Sequence, residues 1–259
     1  MDDAAGKVLF SVALLLYLGG FEILFPAQAK QTLSGRVRNI LLTGITLGLG
    51  GAATSAVFLL IPAAVRRLPD RGLLWSIVVA LAYALLTDFL YYWYHRLQHA
   101  TQFLWAIHEL HHSDQELNAT TSMRTYWLER PVQALCIGIP VGYLVGLDRV
   151  AGIMVSFVLT GWFFFAHANW RLRMGFLTPL ICGPQLHRIH HSMLAHHRDR
   201  NFAQFFPFID MIFGTYYSPS KNEFPATGTP ELRSDASIAA IMVRPFRLWA
   251  GSIRGLASS

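Results

Sequence analysis

Apolar positions in this chain gather into five long runs, Val8–Phe25, Ile40–Ile61, Leu73–Tyr94, Val132–Leu147 and Val150–Ala166, separated by polar segments rich in arginine. A helix that crosses a bilayer needs about 20 apolar residues, with a range of about 17–25. The second and third runs meet that length comfortably, the first and fifth only just, and the fourth is short. Only Asp148 and Arg149 part the fourth run from the fifth, which predicts a tight or partly inserted helical hairpin. Tyr91, Tyr92, Trp93 and Tyr94 close the third run as an interfacial aromatic belt. The pattern predicts an all-α, integral membrane helical bundle with about four to five membrane-embedded helices. Composition agrees: 53% of the residues are hydrophobic and 14% charged, where a soluble domain carries about a quarter charged.

Charge adds sidedness. If the third run ends on one side at His95 and the next two form a hairpin, the fifth run ends on that same side at His167. Every histidine, from His95 to His197, then lies on one face, together with Arg96, Arg124, Arg130, Arg171, Arg173, Arg188, Arg198 and Arg200. The positive-inside rule makes that face cytoplasmic. It predicts a multi-pass protein of a bacterial inner membrane or the endoplasmic reticulum, with a cytosolic histidine-rich helical cap. Arg66, Arg67 and Arg71 fall on the other side and run against the rule. The net charge of +6 fits arginines flanking membrane runs, and no basic block with interleaved aromatics points to nucleic acid. Cys136 and Cys182 are too few for a disulfide framework and read as packing residues. The flank of the first run, Asp2 and Asp3 with a single Lys7, is not that of a cleavable signal peptide. Beyond about Lys221 the chain is more polar. Ile238–Ile253, bearing Arg244 and Arg247, reads as a surface-lying or docking helix that Pro245 would interrupt.

All eleven histidines lie in the predicted cap, in the patterns His95-x-x-x-His99, His108-x-x-His111-His112, a lone His167, His187-x-x-His190-His191 and His196-His197. Positions i, i+3 and i+4 share a helix face, so three helices each present two or three imidazoles toward one point. A lone histidine is ordinarily a satisfied polar group; three spaced boxes on one side of a membrane indicate a metal site. A catalytic zinc needs three protein ligands, and the surplus here suits two metals. His108-Glu109-x-x-His112 also spells the zinc-protease signature, with Glu109 as general base. That reading leaves the other boxes unused, and the second box repeats the histidines with Arg188 in place of Glu109. Paired haem histidines sit within spans, whereas these cluster at or beyond span ends.

The segments "DFLYYWYHRLQH", "LWAIHELHHSDQELNATTSMR" and "QLHRIHHS" with "DRNFAQFFPFIDMIFGTYY" resemble the fatty acid hydroxylase / sterol desaturase superfamily over roughly residues 80 to 217. The resemblance implies a membrane-embedded helical enzyme with a histidine cap over two iron ions, using O₂ and reducing equivalents to hydroxylate or desaturate lipids. Carried over, it implies metal ligation by His95, His99, His108, His111, His112, His187, His190 and His191, and by His167 as the intermediate histidine. His197 joins them if the helix from Pro184 runs on, since it then shares a face with His190. Ala203 stands where relatives often have glycine. Zinc outranks ferrous iron in affinity and is expected in purified protein. Metal-bound imidazoles commonly donate their second N–H to a carboxylate or carbonyl. The candidates for that support are Asp88, one helix face below His95, and Asp114, Asn118, Asp199, Asn201 and Asp210. The expected division is 1–72 for N-terminal transmembrane helices, 73–217 for the catalytic region and 218–259 for the tail. No dinucleotide, flavin or haem motif is visible, so electrons would come from a ferredoxin or cytochrome b5-type carrier. The lead reading is a di-iron lipid hydroxylase; lipid desaturation and a zinc-dependent membrane hydrolase built on Glu109 are the alternatives.

Overall fold

The computed structural model describes residues 3–61, 65–233 and 236–257, so Asp2 of the N-terminal flank lies outside the described residues. Among these no strand forms, and the only bridges are the isolated pairs Pro26–Trp170, Arg67–Leu147 and Ser192–Thr227. α1 is Asp3–Leu24. α2, Leu33–Leu60, runs through a π turn at Thr46–Gly50. α3, Leu73–Ala100, begins with the third apolar run and continues past its end to carry His95 and His99. α4 is Gln102–His112. α5, residues 129–144, contains a second π turn at Ala134–Gly138. Then follow α6 (Arg149–His167), α7 (Pro184–His190), α8 (Phe208–Ile212) and α9 (Ile238–Ala257).

α2, α3 and α6 are long and apolar enough to cross a membrane, and α1 adds the shorter apolar stretch Val8–Leu24. On α3 a stripe of Leu74, Val78, Leu81, Leu85, Phe89 and Trp93 stays exposed at helical spacing. In water such a stripe would be an unpartnered apolar face; lipid is its natural solvent.

The helices alternate in direction between two ends of the molecule. At one end the segment after α2 meets the turn between α5 and α6. The Arg66 N–H donates to the Gly142 carbonyl (3.0 Å), and the Leu147 N–H donates to the Arg66 carbonyl (2.9 Å). There Asp148 caps α6 through the Ala151 N–H (2.8 Å) and accepts from the Ser76 hydroxyl (2.9 Å). At the histidine end Glu22, buried, accepts from the N–H groups of Ala119 (2.7 Å) and Asn169 (2.8 Å) and pairs with Arg36 (2.8 Å). Ser76 and Asp148 each stand 19 residues before a buried histidine, His95 and His167. At about 1.5 Å per residue the two ends are about 28 Å apart, close to the roughly 30 Å hydrocarbon thickness of a bilayer.

This geometry meets one expectation and alters another. The fourth and fifth runs form an antiparallel pair of helices joined by the short turn 145–148: α5 reaches the opposite end, α6 returns to the histidine end, and both limbs pack on α3. Gly50 permits the approach of α2 to the start of α5, since a Cβ there would meet the Trp127 carbonyl at 2.7 Å. Pro245, by contrast, does not break α9. The helix is anchored around it, by Ile241 in a buried cluster with Leu42, Ile107, Leu110, Tyr126 and Leu232 and by the Tyr126 hydroxyl donating to the Met242 carbonyl (2.7 Å).

Candidate metal centre

Nine histidines meet where α3, α4, α6 and α7 converge. Thr101, in extended conformation, is the whole connection between α3 and α4, and its hydroxyl caps α4. The reversal lays the two helices side by side, so His95 faces His108 (Nε2···Nε2 3.0 Å) and His99 faces His112 (3.2 Å). His167 ends α6, and α7 with the residue after it carries His187, His190 and His191.

The nine fall into two groups rather than converging on one point. The first is His95, His99, His108, His112 and His190; the second is His111, His167, His187 and His191. The two H-x-x-H-H boxes are interleaved. Each keeps its i and i+4 imidazoles in one group and sends its i+3 imidazole to the other. Thus His111 leaves its box for the second group, and His190 leaves its own for the first. Within groups, ring nitrogens approach at 2.9 Å (His167 and His187), 3.0 Å (His111 and His167) and 3.1 Å (His108 and His112). Adjacent ligand nitrogens about 2.0–2.1 Å from a shared ion have such separations. His190 Nε2 is buried with no hydrogen-bond partner, as a nitrogen aimed at a metal would be. Burial first, and then the neighbouring imidazoles, hold His108, His111, His112, His187 and His191 well below the usual histidine range, and burial pushes His190 down to about 3. The rings are therefore neutral at neutral pH, with lone pairs free to ligate. An all-imidazole donor set suits iron, copper, zinc or nickel.

One short segment orients three rings of the first group. The Asp199 carboxylate lies 3.3 Å from His99 Nδ1. The Arg200 carbonyl accepts from His190 Nδ1 (2.9 Å), and the Phe202 carbonyl accepts from His95 Nδ1 (2.8 Å). Asp199 and Asn201 have φ of 59° and 57°, a left-handed backbone that Asp and Asn tolerate better than most residues. These bends turn both carbonyls toward the histidines. Asn201 fixes the segment by exchanging hydrogen bonds with the Tyr217 backbone (2.8 and 3.2 Å). Asp88 does not touch His95, contrary to expectation. It accepts from the backbone N–H groups of Gln204 (2.8 Å), Phe205 (3.0 Å) and Phe206 (2.7 Å). Asp210 accepts from those of Phe202 and Ala203 (both 2.8 Å). Asp210 thus holds the residue whose carbonyl meets His95, and Asp88 pins the stretch just after it.

Two further candidates stand apart from the cage. Asn118 caps the turn Ala119–Met123, and Asp114 accepts from Asn39 (2.8 Å) and Thr121 (2.6 Å). His197 is the other correction. α7 stops at His190, so the shared face is lost. His197 instead bonds Ser192 through Nδ1 and Glu223 through Nε2, both at 2.9 Å. It forms a separate group with His196 and Glu223.

The sequence reading missed Glu129. Its carboxylate, buried at the head of α5, accepts from His108 Nδ1 and from Gln98 Nε2, both at 2.8 Å. A lone acidic residue immediately ahead of an apolar run was the available signal. The second position of each box points outward. Glu109 forms a two-pronged pair with Arg244 of α9 (2.6 and 2.7 Å). Its counterpart Arg188, buried, donates to the Pro225 carbonyl (2.9 Å) and the Gln28 side chain (2.7 Å). Arg124 is likewise buried packing, donating to Asn39 and Ser113 (both 2.9 Å), so neither arginine contributes to surface sidedness.

The fatty acid hydroxylase family matches the chain over residues 80–215, a span that contains every histidine of the cage. The chain belongs to the fatty acid hydroxylase family. Human alkylglycerol monooxygenase is 33% identical over 136 residues, covering 50% of this chain and 28% of that protein. The ornithine lipid hydroxylase of Rhizobium tropici is 28% identical over 154 residues, covering 59% of this chain and 45% of its own length. A very-long-chain aldehyde decarbonylase of Oryza sativa subsp. indica is 28% identical over 193 residues, covering 70% and 30%. The chain thus spans less than half the length of these relatives. No solved structure matches it.

Proposed function

We propose that this protein is an O₂-dependent lipid hydroxylase that holds two iron ions among its nine clustered histidines. The observation that carries the proposal is the interleaved double group of neutral, buried imidazoles at the end of apolar helices. His95, His99, His108, His112 and His190 would hold one ion, and His111, His167, His187 and His191 the other. With iron bound, such a site supplies O₂ activation and oxygen insertion at an unactivated C–H bond. The protein's own part is to fix the rings. Glu129 and the carbonyls of Arg200 and Phe202 set which nitrogen of His108, His190 and His95 faces inward. Burial of eight of the nine rings keeps water from the reacting centre.

Position supports a membrane lipid as substrate, since the cage sits directly at the ends of the apolar helices α3 and α6. Two relatives are named for oxygenation of an alkylglycerol and hydroxylation of an ornithine lipid. The alternating helices support a multi-pass arrangement; on this reading the positive-inside rule makes the histidine end cytoplasmic, and a separate ferredoxin or cytochrome b5-type carrier supplies the electrons. The zinc-hydrolase reading loses its general base, because both Glu109 oxygens are engaged by Arg244.

The test is lipid mass spectrometry of cells with and without the protein, in a host with a competent electron supply. A product one oxygen heavier is expected, absent in His108→Ala and His190→Ala. An unchanged lipid profile would refute the proposal.

A further inference from the structure

Among the described residues, one further group of metal-ligating side chains stands outside the cage: His196, His197 and Glu223, with a donor atom of each within 4.8 Å of the others. His197 anchors it. Its side chain is fully buried. Nδ1 meets the Ser192 hydroxyl and Nε2 meets Glu223 Oε1, both at 2.9 Å. The Glu223 carboxylate is fixed in turn: Oε1 accepts from the Tyr217 hydroxyl (2.9 Å) and Oε2 from the Ser220 N–H (2.7 Å). His196 is exposed, its ring 4.1 Å from that of His197, and rotation of its side chain closes the remaining span. That exposure also gives an ion a way in from solvent. A hydrogen bond between His197 and Glu223 would account for those two residues, but it needs no second imidazole beside them. Two imidazoles and a carboxylate are a donor set of mononuclear zinc, with a fourth position left for water. A Ser192 hydroxyl that accepts from His197 Nδ1–H leaves the Nε2 lone pair for the ion, the arrangement usual around zinc-bound histidine.

We propose that His196, His197 and Glu223 form a third metal site that takes a zinc ion, and that this ion clamps the segment supporting the first histidine group. The site grips both ends of that segment. His197 lies two residues before Asp199. Tyr217, whose hydroxyl bonds Glu223, exchanges hydrogen bonds with Asn201. Between these grips stand Asp199 and the carbonyls of Arg200 and Phe202, the partners of His99, His190 and His95. Gln185 of α7 donates to the Glu223 carbonyl (3.2 Å), so the clamp also closes on the helix that carries the second box. The donors choose the ion, since zinc binds a nitrogen and carboxylate set more tightly than ferrous iron does. With three protein ligands and an exposed face, this zinc exchanges more readily than ions in the buried cage. The site transfers no electrons and stands independently of the hydroxylase reading.

The experiment uses the full chain in nanodiscs, its cage loaded with iron and loosely held metal removed by dialysis. Zinc sulfate is titrated in by calorimetry, and iron and zinc per chain are counted by plasma mass spectrometry. One zinc per chain is expected to bind with no loss of iron. His196→Ala and Glu223→Gln should each weaken that zinc by more than about tenfold, since losing a ligand costs at least as much as losing its outer support. Glu223→Gln keeps an acceptor for Tyr217, and an unchanged zinc-free Tm in either variant separates lost ligation from lost folding. Glu231→Gln, an exposed carboxylate outside the group, should bind zinc as wild type does. Bound zinc should also slow removal of cage iron by a ferrous-selective chelator about tenfold in wild type, and not in His196→Ala. No zinc uptake by the iron-loaded wild type would overturn the proposal, as would equal zinc affinity in wild type and both site variants. Zinc that enters only as iron leaves would place it in the cage and overturn the third site as well. Iron released equally fast with and without zinc would refute the clamp. If the chain takes up no iron yet loses one zinc in His196→Ala, the third site stands and the di-iron reading falls.

Discussion

Replacing Glu129 probes the support of the first histidine group. Its buried carboxylate holds two donors at 2.8 Å, His108 Nδ1 and Gln98 Nε2, through the same oxygen. Glu129→Ala frees His108 to rotate and leaves two buried donors without their acceptor. Each such hydrogen bond contributes about 0.5–1.5 kcal/mol to a neutral acceptor and about 1.5–3 kcal/mol to a charged one. Loss of such outer support lowers metal affinity about 10- to 100-fold, or roughly 1.4–2.8 kcal/mol. The loss should fall on one of two bound ions, because Glu129 touches only the group that contains His108. Glu129→Gln, which keeps an acceptor oxygen in place, should lose less. The assay is a competitive titration of the reconstituted protein against a chromophoric chelator, with thermal unfolding followed in parallel. Unchanged affinity for both ions alongside reduced stability would refute the positioning role and leave Glu129 a packing residue. An equal loss at both ions would refute its assignment to one group.

Other outcomes follow from the same geometry. Glu109→Gln removes one side of a pair whose Arg244 side chain is 28% exposed. Solvent screening then limits the cost to about 1–2 kcal/mol, and hydroxylation per bound metal should persist. Abolished activity at full metal loading and unchanged Tm would revive the hydrolase reading. Asp88→Ala orphans three backbone N–H groups, one buried (Phe205) and two part-buried (Gln204 and Phe206), at a cost of about 1–3 kcal/mol for the buried one and less for the others, enough to lower Tm steeply. A Tm within about 2 °C of wild type would contradict the loop-pinning role. Metal-free protein should lose stability on acidification. His190 takes up a proton near pH 6.5 when unfolded but only at about 3 when folded. Its contribution is therefore fully present above about 6.5 and is lost as pH falls toward 3. A metal-free Tm that is flat from pH 7 to pH 5 would contradict this; circular dichroism melts at each pH decide it.

Much of the site is legible in the sequence because its ligands follow helical spacing. His95 with His99, and the i and i+4 members of both boxes, fall together as the period requires. The apolar runs likewise mark α2, α3 and α6, and the short Asp148–Arg149 break marks the turn before α6. What spacing does not carry is the partition between helices. The crossing of His111 and His190 depends on how α4 and α7 face each other, which no local pattern encodes. His197 was misplaced because face continuity assumes an unbroken helix, and the chain leaves helical geometry at His191. Asp88 does share the unbroken α3 with His95, but seven residues at about 1.5 Å each put the two about 10 Å apart along the helix, beyond side-chain reach. Its true partners are backbone N–H groups more than a hundred residues away in sequence. The carbonyls of Arg200 and Phe202 have no side-chain signature; only the left-handed Asp199 and Asn201 hint that the segment bends.

The most direct test of the account is the metal content and Mössbauer spectrum of the full chain produced with ⁵⁷Fe. Two irons per chain in nitrogen-rich environments are expected. Replacing His111, His167, His187 and His191 together with alanine should remove the second iron and leave at most one. A single metal per chain in the wild type, or two irons retained in that quadruple variant, would contradict the two-group cage.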